Sequence, residues 1–429
     1  MEEKGNKNVE NITLGKVPLS ERKNWLSIAL IWSGILVCVP ALTVGGMVGA
    51  GMTIGKTLLS LVLGYACILI FMIPLGISSA DLGLPTVMNA SRSFGVTGSR
   101  VIVSIIIAIS MIGWFAYQAN LCGNSFSQIL GGRVPVWACS LVWGAVMLVT
   151  AIYGIDLLKY LNIIAVPLLI AGLLYGLYYG LVKLDGVPTL AAYKPSTEMT
   201  LAAGMNLTMA GFVTGACTAG DYTRYSKNRG DVVKSCIVGV VPAGIIVLAI
   251  GAILAVIAGN ADLTVVLSNT NLPILGLLVL VLATWTTATS SAYSAGIAAV
   301  SALKLKDDKR ALMTLILGIV GLILATCGIV NHFVTFLNFL TSLTPPVAGV
   351  LIAEYFIFCK GDAKNWKPTK GVNYVGLVAW LCGVIGSTLL GSFFIASINS
   401  IVIAFVAYLI LGKIFPIKEE QEVDLEDVV

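Results

Sequence analysis

The sequence predicts an all-α integral membrane protein of twelve transmembrane helices. Three observations predict it. Only 11% of the 429 residues are charged and 58% are hydrophobic, where a soluble domain carries roughly 25% charged residues; the mean hydropathy is +0.95. Apolar runs of the roughly 20 residues that one crossing of a hydrocarbon core requires recur from Leu26 almost to Pro416. Lys and Arg are segregated by loop. With both termini cytoplasmic, only Lys56, Arg133, Lys183 and Lys194 of the 26 Lys and Arg fall in outer segments, as the positive-inside rule requires of an even span count.

In chain order the spans are 25–49, 56–79, 99–126, 135–155, 159–182, 200–222, 233–259, 272–303, 311–329, 332–358, 374–391 and 393–415. Residues 1–24 form a polar, basic cytoplasmic tail with no apolar segment where a cleavable signal has one. Gly391-Ser392 is the only punctuation between the last two spans. Residues 416–429 are acidic from Glu419 to Asp427 and read as a solvated tail. The net charge of +5 follows from topology and asks for no nucleic-acid partner. Nine scattered cysteines with no C-x-x-C pair suggest neither a zinc site nor a disulfide framework. A cell-membrane location follows, and the oligomeric state is left open.

Two spans are interrupted at corresponding places. Span 1 carries Gly34 and Pro40, then Gly45-Gly46; span 6 carries Gly204, Gly211, Gly215 and Gly220. Helix interiors disfavour Gly and Pro, and Pro40 removes a backbone donor. Span 1 opens the first group of five spans and span 6 opens the second, and paired interruptions of this kind point to a transporter's substrate site. Close helix packing is the competing reading for Gly45, Gly46, Gly49 and Gly211-x-x-x-Gly215. An enzyme is disfavoured. The single histidine, His332, sits near an outer end, and neither H-E-x-x-H nor G-x-S-x-G occurs. Asp156, Asp221 and Glu354 sit near cytoplasmic ends, so no carboxylate deep in a span offers a proton relay.

Five stretches are specific: Ser93-Phe-Gly-Val-Thr-Gly98, Gly113-Trp-Phe115, Gly220-Asp-Tyr-Thr-Arg-Tyr225, Thr284-Trp-Thr-Thr287 and Phe339-Leu-Thr-Ser-Leu-Thr-Pro-Pro346. In order and spacing, from about residue 25 to 358, they resemble the nucleobase–cation symporter family 1, the group of cytosine permeases and hydantoin transporters. The resemblance implies a LeuT-like core of two inverted five-helix repeats plus two C-terminal helices. Here these would be residues 25–182 and 200–358, joined by an extracellular loop 183–199, with helices 11 and 12 in 359–415. It implies a secondary symporter importing cytosine or a related pyrimidine or purine by alternating access. The alternative is another heterocycle, such as hydroxymethylpyrimidine, hydantoin, allantoin or uracil, with the proton as the alternative coupling ion. The resemblance implies no cofactor and Na⁺ as the coupling ion.

Trp114 and Phe212 match the family's two stacking aromatics. Gln118, one turn after Trp114 and on the same face, can donate and accept at a ring edge; a Gln holds this place in hydantoin-type relatives. Thr214 matches a hydroxyl beside the second aromatic. For Gln118 and Thr214 an interhelical hydrogen bond is the competing reading. Thr286 and Thr287 match the paired hydroxyls that hold Na⁺ in sodium-coupled members, with carbonyls of Gly34, Val37 and Ala283 completing the set; hydroxyls bonded back to their own helix are the alternative. Where cytosine permeases continue with Asn-Asp-Asn, this chain has Ala288-Thr289-Ser290-Ser291, so Thr289 replaces an acidic edge reader. Thr289 and Ser290 remain candidates to face the substrate. Asp221 and Arg224 form either an inner-gate ion pair or an interfacial salt bridge.

Overall fold

The computed structural model describes residues 15–153, 168, 170–259, 273–305, 309–390, 393 and 395–425, with side chains 273–279 excepted. The predicted start of span 5 with Asp156 and Lys159, the punctuation Gly391-Ser392, and the last residues of both tails lie outside the described residues.

The described chain is helical throughout, with only isolated β-bridges. Asn24 caps α1 (Trp25–Leu36), its side chain accepting from the Ser27 N–H at 3.0 Å. After the break comes α2 (Val39–Ala50), then α3 (Ile54–Leu82), α4 (Ser104–Ile129) and α5 (Val136–Tyr153). The span-6 region is divided into α6 (Leu201–Ala210), α7 (Val213–Cys217) and α8 (Gly220–Thr223). Then follow α9 (Arg229–Ala258), α10 (Pro273–Ala302), α11 (Arg310–Thr326), α12 (Phe333–Leu343), α13 (Pro345–Ala353), α14 (Tyr374–Leu389) and α15 (Ala396–Ile414). Among the described residues six helical segments are long and apolar enough to cross a membrane, or seven with α1 and α2 as one bent span.

The first break is local and has a clear cause. The α1–α2 pair bends by 64°. Pro40 sits in the first turn of α2, where a missing N–H is tolerated. The Leu36 carbonyl therefore has no donor four residues on, and the Cys38 N–H takes it at 2.9 Å. Cys38 is then unavailable to the Gly34 carbonyl. Gly45 and Gly49, by contrast, lie inside α2 and serve packing. A Cβ on Gly45 would meet the Leu248 backbone, and one on Gly49 would sit 2.7 Å from Ala252 Cβ. Gly251 answers from α9 against the Leu42 carbonyl. These glycines let α2 and α9 touch along their backbones.

The acidic tail is not simply solvated. The Lys370 N–H donates to the Gln421 carbonyl at 2.8 Å and the Val423 N–H to the Pro368 carbonyl at 3.0 Å. Glu422 accepts from Arg92 Nη1 at 2.9 Å. Composition does not reveal this docking, because the partners come from distant loops.

Candidate functional site

The two breaks face a common cavity of about 470 Å³. From the first come Gly34, Val37, Cys38 and Pro40; from the second, Gly211, Phe212, Thr214 and Gly215. Trp114 and Met111 reach it from α4, and Ala283, Thr286, Thr287 and Ser290 from α10. Among the described residues none that lines it is Asp, Glu, Lys, Arg, His, Asn or Gln. An unpaired charge held among these side chains would be costly.

Two aromatic walls are held from behind. Trp114 meets Phe336 edge-on at 5.4 Å, and Phe333 and Tyr117 each at 6.1 Å. Gly113 explains its place in the motif: a Cβ there would collide with the Phe336 ring. Phe212 lies at the second break with φ −130° and ψ 1°. Its ring rests on Gly215, where an added Cβ would come within 2.7 Å of it. Thr214 Oγ1 is buried with no hydrogen-bond partner among the described residues.

Oxygen donors gather on α10. The Thr286 and Thr287 hydroxyls both donate to the Ala283 carbonyl, at 2.9 and 3.0 Å. That is the back-bonded arrangement, and it also sets three oxygens side by side on the cavity wall. No group of three or more His, Cys, Asp or Glu that could hold a metal stands together among the described residues. The donor set is neutral oxygen, which suits Na⁺ held by hydroxyls and unwound carbonyls.

Over residues 16–412 the chain matches the family described as permease for cytosine/purines, uracil, thiamine, allantoin. It belongs to that family of nucleobase–cation symporters. This symporter is 27% identical over 406 residues to the cytosine permease of Escherichia coli (strain K12), covering 94% of each chain. It is 24% identical over 453 residues to the hydantoin permease of Microbacterium maritypicum, covering 94% of this chain and 89% of the relative. Its fold matches that of Mhp1, a nucleobase-cation-symport-1 family transporter in a closed conformation with bromovinylhydantoin bound. The TM-score is 0.77 at 21% identity, over 98% of this chain and 99% of the other. The chain is thus a LeuT-like membrane transporter and not an enzyme.

Some predicted residues of the symporter lie elsewhere. Gln118 is fully buried beyond the lining, and neither of its amide atoms has a partner among the described residues. Thr289 turns away toward α5, its hydroxyl 3.5 Å from the Met147 carbonyl. Helical periodicity explains this: 283, 286, 287, 290 and 294 share one face at 3.6 residues per turn, and 289 falls on another. Asp221 accepts from the Thr86 N–H at 2.9 Å. Arg224 donates to the Asp221 carbonyl at 3.3 Å and to the Tyr225 hydroxyl at 3.2 Å. His332 is exposed. Trp32, Tyr65 and Tyr222 line the cavity and were not singled out from sequence. Trp32 carried a usable signal, since a Trp in mid-span departs from the usual interfacial position.

Proposed function

We propose that this symporter imports an uncharged nucleobase, cytosine or a related pyrimidine or purine, coupled to Na⁺ by alternating access around the two helix breaks. The cavity itself carries the reading: an aromatic from α4, an aromatic from the second break and an oxygen cluster border one space between the breaks. The ring lies against Trp114 and Phe212, with Thr214 and Ser290 at its edge. Gln118 supplies an amide if its side chain turns inward, which would relieve two unpaired buried atoms. The ion binds Thr286, Thr287 and the carbonyls of Ala283, Gly34 and Val37, joining the first break to α10. Asp221 and Arg224 act at the inner gate. The chain crosses the cell membrane twelve times with both termini cytoplasmic, as two five-helix repeats plus two helices.

A second reading has its own support. Among the described residues no amide or carboxylate lines the cavity, and Thr289, at the place of the acidic edge reader, points to α5. That favours a ring without cytosine's exocyclic amino donor, such as a hydantoin. The deciding experiment is uptake by proteoliposomes of labelled cytosine, uracil, allantoin, hydroxymethylpyrimidine and hydantoin, with and without a Na⁺ gradient. Uptake of one ring that requires Na⁺ is expected. Equal uptake without Na⁺ would end the sodium assignment, and a proton gradient driving it would replace Na⁺ with H⁺.

A further inference from the structure

We infer that Trp32 is a positioning residue that couples ion binding at the first helix break to the aromatic wall of the second. The inference rests on the Na⁺-coupled reading above and adds to it a residue through which the two sites communicate. Trp32 is fully buried, two residues before Gly34 and five before Val37 in α1. Its ring meets Phe212 edge-on at 6.0 Å and 89°, and Tyr222 at 4.9 Å and 66°. It is thus wedged between the break of span 6 and its last helix, α8.

The contacts around it explain why movement would pass through this ring. On another side, α1 is fixed to α9: the Ser33 hydroxyl donates to the Gly239 carbonyl at 3.0 Å, and Gly239 sits against the Ala29 backbone. The end of α1 is freer, because the Cys38 N–H bonds Leu36 and leaves the regular ladder. Phe212 lies between α6 and α7, outside both helices. Its ring direction is set by its neighbours, Gly215 beneath and Trp32 at the edge. An ion drawing Gly34 and Val37 toward α10 shifts the last turn of α1, and Trp32 carries that shift to Phe212. The Trp32 indole N–H is buried with no partner among the described residues. A residue kept only for packing would do as well without that group, since an unpaired buried donor costs stability.

The test measures binding of radiolabelled cytosine, with hydantoin as the second probe, to the purified full chain with and without Na⁺. Linked sites typically shift one another's affinity by about 5- to 150-fold. The wild type is expected to bind within that range more tightly in Na⁺. Trp32→Leu is expected to bring the ratio close to one, with the loss of affinity in Na⁺ exceeding any loss without it. Trp32→Phe, which keeps a ring and is the safer variant for folding, is expected to give an intermediate ratio. Gly215→Ala, which presses on Phe212 from beneath, is the contrast: affinity falls in both conditions and the ratio is kept. A wild-type ratio retained in both Trp32 variants overturns the inference alone, as does an equal loss of affinity with and without Na⁺. A wild type with no Na⁺ effect on either ring overturns the sodium reading and this inference together.

Discussion

Arg92 Nε stands 2.6 Å from the Glu354 carboxylate, joining the loop before α4 to the end of the span that contains α12 and α13. Glu354 is 3% exposed and also accepts from the Tyr408 hydroxyl at 2.6 Å. Burial works against the Arg92 charge, but Glu354 and Glu422 together raise its pKa above the usual value. Removing one partner of a buried pair leaves the other uncompensated, at a cost of about 3–5 kcal/mol. Glu354→Ala is therefore expected to lower thermal stability in detergent strongly. A melting temperature within a degree or so of wild type would show that Arg92 finds another partner at no cost.

The docked tail gives a milder expectation. Glu422 is 23% exposed, so its pair with Arg92 contributes about 1 kcal/mol or less. Leu425 packs over a buried cluster that includes Tyr355, Trp366 and Cys359. Truncation before Lys418 should uncover Cys359, while Glu422→Gln should loosen the cover. Maleimide labelling of a chain with Cys359 as its sole cysteine is expected to speed up by about tenfold on truncation and less in Glu422→Gln. Unchanged labelling in both would mean that the tail does not cover this thiol.

Much of the architecture was legible because the bilayer allows few solutions. Backbone groups in hydrocarbon must bond internally, so long apolar runs become helices, and Asn24, Thr200 and Asn228 cap α1, α6 and α9 as their residue types predict. The break at Val37–Cys38 was readable to within a few residues through Pro40, whose missing donor acts upstream of the proline. Gly45 and Gly49 were ambiguous because a glycine that permits a break also permits close contact. Trp114, Phe212, Thr286 and Thr287 line the cavity, whereas Thr289 does not, and its helix phase could have shown this. Trp32 and the tail were harder to read. Their roles depend on partners far away in the sequence, which no local pattern encodes.

The hydroxyls on α10 separate ion binding from fold stability. Thr286 and Thr287 bond to their own helix, and such back-bonds contribute little to stability. Thr286→Ala and Thr287→Ala should keep expression and melting temperature near wild type. Each should raise the Na⁺ concentration for half-maximal uptake by about tenfold, the worth of one hydrogen-bond-scale interaction. The serine variants keep the oxygen and should behave like wild type. Alanine variants with unaltered Na⁺ dependence would place the ion elsewhere.

Trp114 depends on Gly113 for its position as much as on its own ring. Stacking of a base on an aromatic contributes about 1–3 kcal/mol, or roughly 5- to 150-fold in affinity. Trp114→Leu and Phe212→Leu should each weaken ring binding by that factor, while Phe212→Trp should bind near wild type. Gly113→Ala makes a stricter test because it alters no residue that lines the cavity. Its new methyl collides with Phe336, the ring that supports Trp114 edge-on at 5.4 Å. A displaced Phe336 leaves Trp114 free to turn, so affinity should fall toward the Trp114→Leu value even with the indole present. Adding Phe336→Leu removes the colliding ring edge and should restore part of the loss. Isothermal titration of the three variants with the transported ring checks this order, and a Gly113→Ala chain that binds as tightly as wild type refutes it.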